Sequence, residues 1–548
     1  MNRLYLFLVC LLPGMYGMYG QNAVEIRNNN LRVFLKSNGA LLPSSGIHGF
    51  DYEQNGEFIP LIHFTGLWLG AKDEGGNLRF AHTQQGGHPG LWNTTSEFQK
   101  VWQVNASQIA ALRQDFEDDG VIDDPVAEIF AWPGRGNPHF FDYNGFELPP
   151  DNTAGLAPFW DENGDGLYDP NDGDYPVLAI RGCEAPIIPT QMNWVAFTVL
   201  ENTDHPLEIS LNVFYFDCEE ANPLQESIFT HYKVIDRAAA GTPALPEVRW
   251  GHFTDGDLGC PLDDYVGIFP ERSAAYFYNA DNQDEDCVIV QGFGANPPAL
   301  GIDIYRGPIG SSLQEQPQSG GITFFNPSFG SFPPGATDPN LATEYFNYLQ
   351  GKWRDGSPLT VGGIGYGGSE PAAFAFPGLP EQENGWTEWE AGNGEGDRRV
   401  LLNFEPFELV PGAVNELIAG YTVHSDGTDN LDQAAGLRDQ LDVLQAYFDH
   451  CLQSNSDIPE LPPCTPLMTA TRPLAQEINL DIAPNPARDV VQVITDVSIL
   501  SIELFDARGR MVSSSGEAEI ALGHLPRGLY FIHIRTRQGI AVRKLIVE

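Results

Sequence analysis

The densest run of oxygen ligands in the chain is Asp161-Glu162-Asn163-Gly164-Asp165-Gly166-Leu167-Tyr168-Asp169-Pro170-Asn171-Asp172. Calcium is a hard cation that gathers about six to eight oxygens, and alternate side chains of a short turning loop deliver them without a large fold. On that template Asp161, Asn163, Asp165, Asp169 and Asp172 take positions 1, 3, 5, 9 and 12. Leu167 offers its backbone carbonyl at position 7, and Gly166 makes the sharp turn at position 6. Two features depart from an EF-hand: Asp172 stands where a bidentate Glu is usual, and Pro170 discourages a following helix. The expectation is a structural calcium site of the short DxNxDG type found in extracellular modules, with a solvated acidic turn as the alternative for the same residues.

A second group of carboxylates, Asp255, Asp257, Asp263 and Asp264 with Asp281, Asp284, Glu285 and Asp286 further on, would suit another cation or a solvated acidic loop equally well. Enzyme signatures fail on inspection. Gly363-Ile364-Gly365-Tyr366-Gly367-Gly368 has the spacing of a dinucleotide fingerprint, but Pro371 follows and no helix begins there to receive a pyrophosphate. The sequence contains no P-loop, no GxSxG elbow and no HExxH. The histidines are scattered, and His82 and His88 read as surface residues of a Gly/Gln loop. No catalytic residue is assigned.

The elements that must hold these loops are mostly strands. Val195–Leu200, Leu207–Phe216 and Phe229–Ile235 are successive strand candidates separated by turn-rich segments. The second alternates apolar and polar residues, as an antiparallel strand with one wet face does. One long helix is predicted near the end of the body, over about Leu431–Leu452 with Asp429 or Asn430 as its cap. Its Leu437, Leu441, Leu444 and Phe448 share one face. The fold class expected is mainly β: an antiparallel sandwich-rich body with that helix, followed by a small Ig-like sandwich at the C-terminus.

Composition sets the outer bounds. The chain has 548 residues with 74 Asp+Glu against 29 Lys+Arg, a formal net charge of −45. A phosphate backbone is repelled by such a field, so nucleic-acid binding is excluded as a main role. Gly and Pro supply 58 and 42 residues, well above the usual share of about 12% together, which favours turns over long helices. Met1-Asn2-Arg3 and the apolar run Leu4–Leu12 read as a secretory leader over 1–20. No stretch is long enough for a transmembrane segment. Six cysteines then remain, and of their 15 possible pairings the simplest is between neighbours: Cys183–Cys218, Cys260–Cys287 and Cys451–Cys464. After the leader comes an acidic β-rich body over 21–455, of two or three subdomains, then a Pro/Ser/Thr-rich linker over 456–476 and a tail over 477–548. From Asp481 onward acidic and basic residues balance, so the whole negative charge lies upstream.

In the tail, Ala483-Pro484-Asn485-Pro486-Ala487, Leu504-Phe505-Asp506 with Gly509-Arg510, Leu525-Pro526-Arg527-Gly528-Leu529-Tyr530 and Arg543-Lys544-Leu545 resemble the type A C-terminal sorting domain of Bacteroidota type IX secretion cargo. That resemblance implies recognition by the secretion machinery, passage from the periplasm through the outer membrane, and release or surface anchoring.

Further motifs lie in the body: Phe64–Gly70, Trp160–Gly166 through Asp172–Pro176, Asp255–Gly259 with Asp263–Gly267, Tyr278-Asn279 and Asn296–Gly301. In this order they resemble a group of large type IX-sorted surface proteins, and that resemblance implies no activity. The function expected is therefore that of a secreted or outer-surface binding, adhesive or structural protein stabilised by calcium, with an extracellular glycan or protein as ligand. The alternative is a secreted hydrolase acting on polysaccharide.

Overall fold

The computed structural model describes residues 23–452 and 480–547, apart from short stretches at 43–47, 93–97, 150–155, 219–221, 288–289, 311–314, 316–317, 329, 496–498, 507–510, 516–517, 524 and 537–538. The expected leader 1–20, the linker 456–476 and Cys464 lie outside the described residues.

Two nine-stranded antiparallel sheets build the body. The first runs Ala23–Asn28, Leu31–Lys36, Phe50–Gln54, Glu57–Lys72, Leu245–Gly256, Arg398–Phe404, Gln318–Phe325, with Leu78–His82 and Phe407–Leu409 paired at its flanks. The second runs Asp264–Phe269, Ala274–Asn279, Ala299–Arg306, Val414–His424, Ser227–Asp236, Leu207–Tyr215, Gln191–Val199, with His88–Pro89 and Trp102–Asn105 both against the last. One core joins the facing sides of the sheets: Leu67, Leu69 and Trp250 of the first lie with Ile209, Tyr232 and Leu417 of the second. The Phe50 and Tyr421 rings meet across it with centroids 4.5 Å apart. Thr65 Oγ1 lies 3.1 Å from the Tyr421 hydroxyl and 3.3 Å from His252 Nε2, a polar knot inside an otherwise apolar interface. Burial holds the His252 imidazole down to about 3, so it stays neutral there.

The second sheet is covered on its other side too. The predicted helix is Asn430–Asp449, and the Asp429 carboxylate caps it by accepting from the Leu431 and Asp432 amides at 3.1 and 2.9 Å. Leu437, Leu441, Leu444 and Phe448 are all buried, and the Phe448 ring stacks on Tyr305 of the sheet at 4.3 Å. This cover changes one expectation. Leu207–Tyr215 has no wet face: Glu208, Ser210 and Asn212 are as buried as the apolar residues between them. Ser210 accepts from Trp194 Nε1 at 2.6 Å, and Glu208 accepts from the Trp92 amide at 2.6 Å. The polar residues of the alternation thus mark a buried polar layer beneath a second covering.

That layer includes a helix the apolar pattern did not announce, Ala106–Asp119. Its start is a capping box in which Asn105 accepts from the Gln108 amide while Gln108 reaches back to the Asn105 amide.

Cysteine pairing departs from the neighbour rule. Cys260–Cys287 forms as expected, but Cys183 pairs with Cys451 across 268 residues, their Cα atoms 5.4 Å apart. The last turn of the long helix comes to rest beside the segment leading into Gln191–Val199, which no sequence distance reveals. Cys218 is also disulfide-bonded.

The tail is a separate small sandwich. A three-stranded sheet (Leu480–Ala483, Val490–Thr495, Glu519–Ala521) and a four-stranded one (Met511–Ser515, Ile499–Asp506, Gly528–Thr536, Gly539–Val547) close on a core of Ile482, Val491, Leu504, Ile532 and Leu545. Its motifs have visible work. Asn485 donates to the Lys544 carbonyl at 2.7 Å and accepts from the Ile546 amide at 2.9 Å, clamping the closing strand. Tyr530 donates to the Pro526 carbonyl at 2.8 Å, fixing the corner that leads into its own strand.

Candidate metal centre

The 161–172 loop folds around its first carboxylate. Asp161 Oδ1 accepts from the Gly164 and Asp165 amides at 2.7 and 3.2 Å, and Oδ2 accepts from Gly166 at 2.7 Å. Gly164 and Gly166 have φ of 77° and 79°, left-handed turns that a side chain strains to adopt. Asp165 Oδ1 accepts from the Leu167 amide at 2.7 Å and Asn163 Oδ1 accepts from the Asp165 amide at 2.9 Å. The Asn163 amide nitrogen donates to Asp172 Oδ2 at 3.1 Å and to Asp165 Oδ2 at 3.3 Å. The side chains at positions 3, 5 and 12 of the template are thus brought together, while both oxygens of Asp161 at position 1 hold the loop's own amides.

Asp169 is not turned the same way. Its Oδ1 lies 3.1 Å from His139 Nε2 and accepts from the Asn171 amide at 3.0 Å, capping the short turn Pro170–Asp172. Leu167 keeps an exposed side chain, as a residue that offers only its carbonyl would.

One residue outside the template closes the loop. Asp174 is fully buried, and its two oxygens accept from the Glu162 amide at 2.8 Å and the Asp169 amide at 2.9 Å, pinning both ends. Burial, with Asp161 and Asp165 nearby, pushes its carboxyl up to about 7. Asp172 is raised as well, by burial and then by Asp169 and Asp165. The signal in the sequence was the second acid of Asp172-Gly173-Asp174, two residues past the template's last position.

The second acidic group divides into three. Asp281, Glu285 and Asp286 are exposed. Asp264 and Asp284 are buried around the Cys260–Cys287 turn: Asp284 accepts from the Cys260 and Phe293 amides at 3.0 and 2.6 Å, and Asp264 Oδ2 from the Leu258 amide at 3.1 Å. Burial pushes Asp284 up to about 7 and Asp263 up to about 6.

Asp255 and Asp257 belong elsewhere, at the end of three adjacent strands. There Arg399 lies 3.2 Å from Asp255 and 3.1 Å from Asp338, and also pairs with Asp397. The ligand oxygens of Asp255, Asp257 and Asp397 lie within 4.8 Å of one another. Burial first, then Asp257 and Asp397, raise the Asp255 carboxyl, and the Arg399 guanidinium opposes that rise. Sequence reasoning missed Asp397, Arg399 and Asp338, which are about 140 or 80 residues from Asp255 and reach it only through strand pairing, Arg399 standing opposite Asp255 in the ladder.

Other expectations resolve simply. Gly363–Gly368 is a turn-rich loop whose Gly365 and Gly363 carbonyls accept from Trp353 and Trp386 at 2.8 and 3.2 Å. His82 is a half-buried strand residue beside the Tyr345 ring, a correction to its surface placement, whereas His88 is largely exposed. No described helix is long and apolar enough to cross a membrane.

Comparison with known proteins bears on the tail. Residues 481–548 match the family model described as the secretion system C-terminal sorting domain. The chain is on that ground cargo of the type IX secretion system, exported to the outer surface or secreted, and its tail interacts with the secretion machinery. No curated protein matches the sequence. Among solved structures, a polysaccharide lyase is similar at 10% identity with a TM-score of 0.20, over 65% of this chain and 35% of that one. The chain thus spans about a third of the length of that lyase.

Proposed function

We propose that this cargo acts outside the cell as a binding, adhesive or structural protein whose 161–172 loop is held rigid by calcium. The observation that carries the calcium reading is the convergence of Asp165 and Asp172 on the single amide group of Asn163, at 3.3 and 3.1 Å. Two carboxylates aimed at one point, with Asp169 acting on Asp172 and Asp161 acting on the raised Asp174, form a concentration of negative charge that a hard dication offsets. Asp161, Asn163, Asp165 and Asp172 would hold the ion by side-chain oxygens and Leu167 by its carbonyl, while Asp169 joins only by turning away from His139. The ion supplies charge neutralisation and a fixed loop geometry.

The test is a melting curve of the exported chain with calcium and with a chelator. Calcium raises the melting temperature, and Asp161→Ala or Asp165→Ala removes the rise. An identical melt in chelator ends the calcium reading. The binding reading is tested by screening the same protein against glycans and surface proteins. Retention of a ligand without turnover supports it, and depolymerisation of a polysaccharide overturns it in favour of a hydrolase.

A further inference from the structure

The buried acidic cluster has two sides. Asp255 and Asp397 face Arg399, while Asp257 faces two imidazoles. His48 stands two residues before the strand Phe50–Gln54. His63 sits where Glu57–Lys72 bulges against Leu245–Gly256: Asp255 pairs with Phe64 and Gly256 with Ile62, so His63 is skipped. A bulge re-aims the residue it leaves out of the ladder. The Asp257 backbone is fixed against the same strand by its amide, which donates to the Leu61 carbonyl at 2.9 Å.

The result is a three-sided arrangement. His48 Nδ1 and His63 Nδ1 each lie 3.8 Å from Asp257 Oδ2, and the ligand atoms of all three residues fall within 4.8 Å of one another. The rings stand edge to face with centroids 6.1 Å apart. At 3.8 Å neither imidazole hydrogen-bonds the carboxylate. His48 Nδ1 is buried and makes no hydrogen bond. Behind Asp257, Asp255 Oδ1 also makes none, on a side chain only 5% exposed whose ligand oxygen lies within 4.8 Å of those of Asp257 and Asp397. A buried carboxylate oxygen without a donor costs free energy, and the neighbouring Asp257 and Asp397 charges act on the same carboxyl.

We propose that His48, His63 and Asp257 bind one divalent transition-metal ion of the zinc class, with Asp255 and Asp397 as neighbouring carboxylates outside the ligand set. Two neutral imidazole nitrogens and one carboxylate are the donor set such ions prefer, and the nitrogens set the site apart from the all-oxygen chemistry of calcium. Zinc bonds of about 2.0–2.2 Å at tetrahedral angles put neighbouring ligand atoms about 3.3–3.5 Å apart. The 3.8 Å spacings reach that with a few tenths of an ångström of side-chain movement. Asp255, Asp338 and Asp397 share the Arg399 guanidinium, with Arg354 also acting on Asp338, and a dication beside Asp257 adds positive charge to this acidic group. The His63 and His48 side chains are 33% and 20% exposed, so the site is open to solvent. The proposal is independent of the calcium loop.

The test uses the full exported chain, stripped with a chelator and dialysed, then titrated with zinc chloride in a calorimeter. One equivalent binds, and the cobalt-loaded protein shows the visible absorption of a low-symmetry nitrogen–oxygen site. His48→Gln and His63→Gln each weaken zinc binding by more than the roughly tenfold loss ordinary for an outer partner, and the double variant abolishes the cobalt bands. His88→Gln and Asp161→Ala bind zinc as the parent does. Metal-free melting curves of the variants that overlay the parent show that folding is intact. If a variant does not fold, the parent's protection of His48 and His63 from diethylpyrocarbonate by zinc answers the same question. Absence of a stoichiometric site in the parent, or unchanged binding in the folded double variant, overturns the proposal. Loss of the calcium response in Asp161→Ala leaves the zinc result unaffected, so the two claims fail separately.

Discussion

Arg398 and Glu388 form a bidentate ion pair in which neither side chain reaches solvent: Nε lies 2.9 Å from Oε1 and Nη2 2.9 Å from Oε2. Glu388 also accepts from the Val266 amide at 3.2 Å, so the pair ties a long loop to the edge strand Asp264–Phe269 of the second sheet. Removing one charge leaves the other buried and alone. Glu388→Gln or Arg398→Met is expected to cost about 3–5 kcal/mol, whereas replacing both by apolar residues of similar volume costs far less. Guanidinium unfolding of the two single variants and the double variant measures this directly, and additive losses would contradict it.

Acidity is expected to stabilise the metal-free protein. Burial pushes Asp174 and Asp284 up to about 7, and Asp263 and Asp397 up to about 6, against about 3.9 in an unfolded chain. Within that window the native state holds more protons than the unfolded one, so stability falls as pH rises from about 4 to 7. His252, held down to about 3 by burial, acts in the opposite sense inside that window against these four carboxylates, and Asp73, held near 2 by Asn77 and Arg79, does so only below it. Thermal melts in chelator at about pH 5.5 and about pH 8 should place the higher transition at the lower pH, and added metal should narrow the gap. A rise in stability toward pH 8 would refute the assignment.

The long helix offers two graded substitutions. Asp429→Ala removes the acceptor of the second and third helical amides, those of Leu431 and Asp432, and is expected to cost about 1 kcal/mol. Leu441→Ala, at a fully buried position of the apolar stripe, is expected to cost about 2–5 kcal/mol. Urea midpoints separate the two. Equal losses would mean that the stripe does not carry the packing.

Removal of the Cys183–Cys451 link is expected to lower stability by about 2–5 kcal/mol, since it closes a loop of 268 residues in the unfolded chain. Melting of the Cys183→Ser/Cys451→Ser double variant checks the size. No change would show that the enclosed segment stays compact when unfolded.

Deletion of 481–548, the segment that matches the sorting domain, is expected to leave the body in the periplasm of its host. Fractionation reads the outcome, and surface display of the truncated chain would assign export to another segment.

Local features were legible. The stripe on the long helix, its Asp429 cap and the hairpin ladder from Gln191 to Asp236 follow from period and turn chemistry. The tail announced itself by motifs whose hydrogen bonds are internal to it, such as Tyr530 to Pro526. In the 161–172 loop, Asn163, Asp165 and Asp172 converge because the loop is short. What stayed hidden depends on strands distant in sequence. Asp397 and His63 meet Asp257 only because Glu57–Lys72, Leu245–Gly256 and Arg398–Phe404 are neighbours in one sheet. The buried polar face of Leu207–Tyr215 was misleading for a related reason, as alternation shows that two faces differ but not that the polar one is wet.

The Cys183–Cys451 bond also sets how the molecule carries load. If the chain is held by its C-terminal end, tension reaches the body through the residues after Cys451, the last cysteine among the described residues. Without the bond, that pull would unwind Asn430–Asp449 from its final turn and peel Leu444 and Phe448 off the sheet one at a time. With it, tension passes covalently at Cys451 into the segment that leads to Gln191–Val199, one of the hydrogen-bonded strands of the second sheet. The helix is bypassed, and failure under shear requires many ladder bonds to break together or the sulfur link to be reduced.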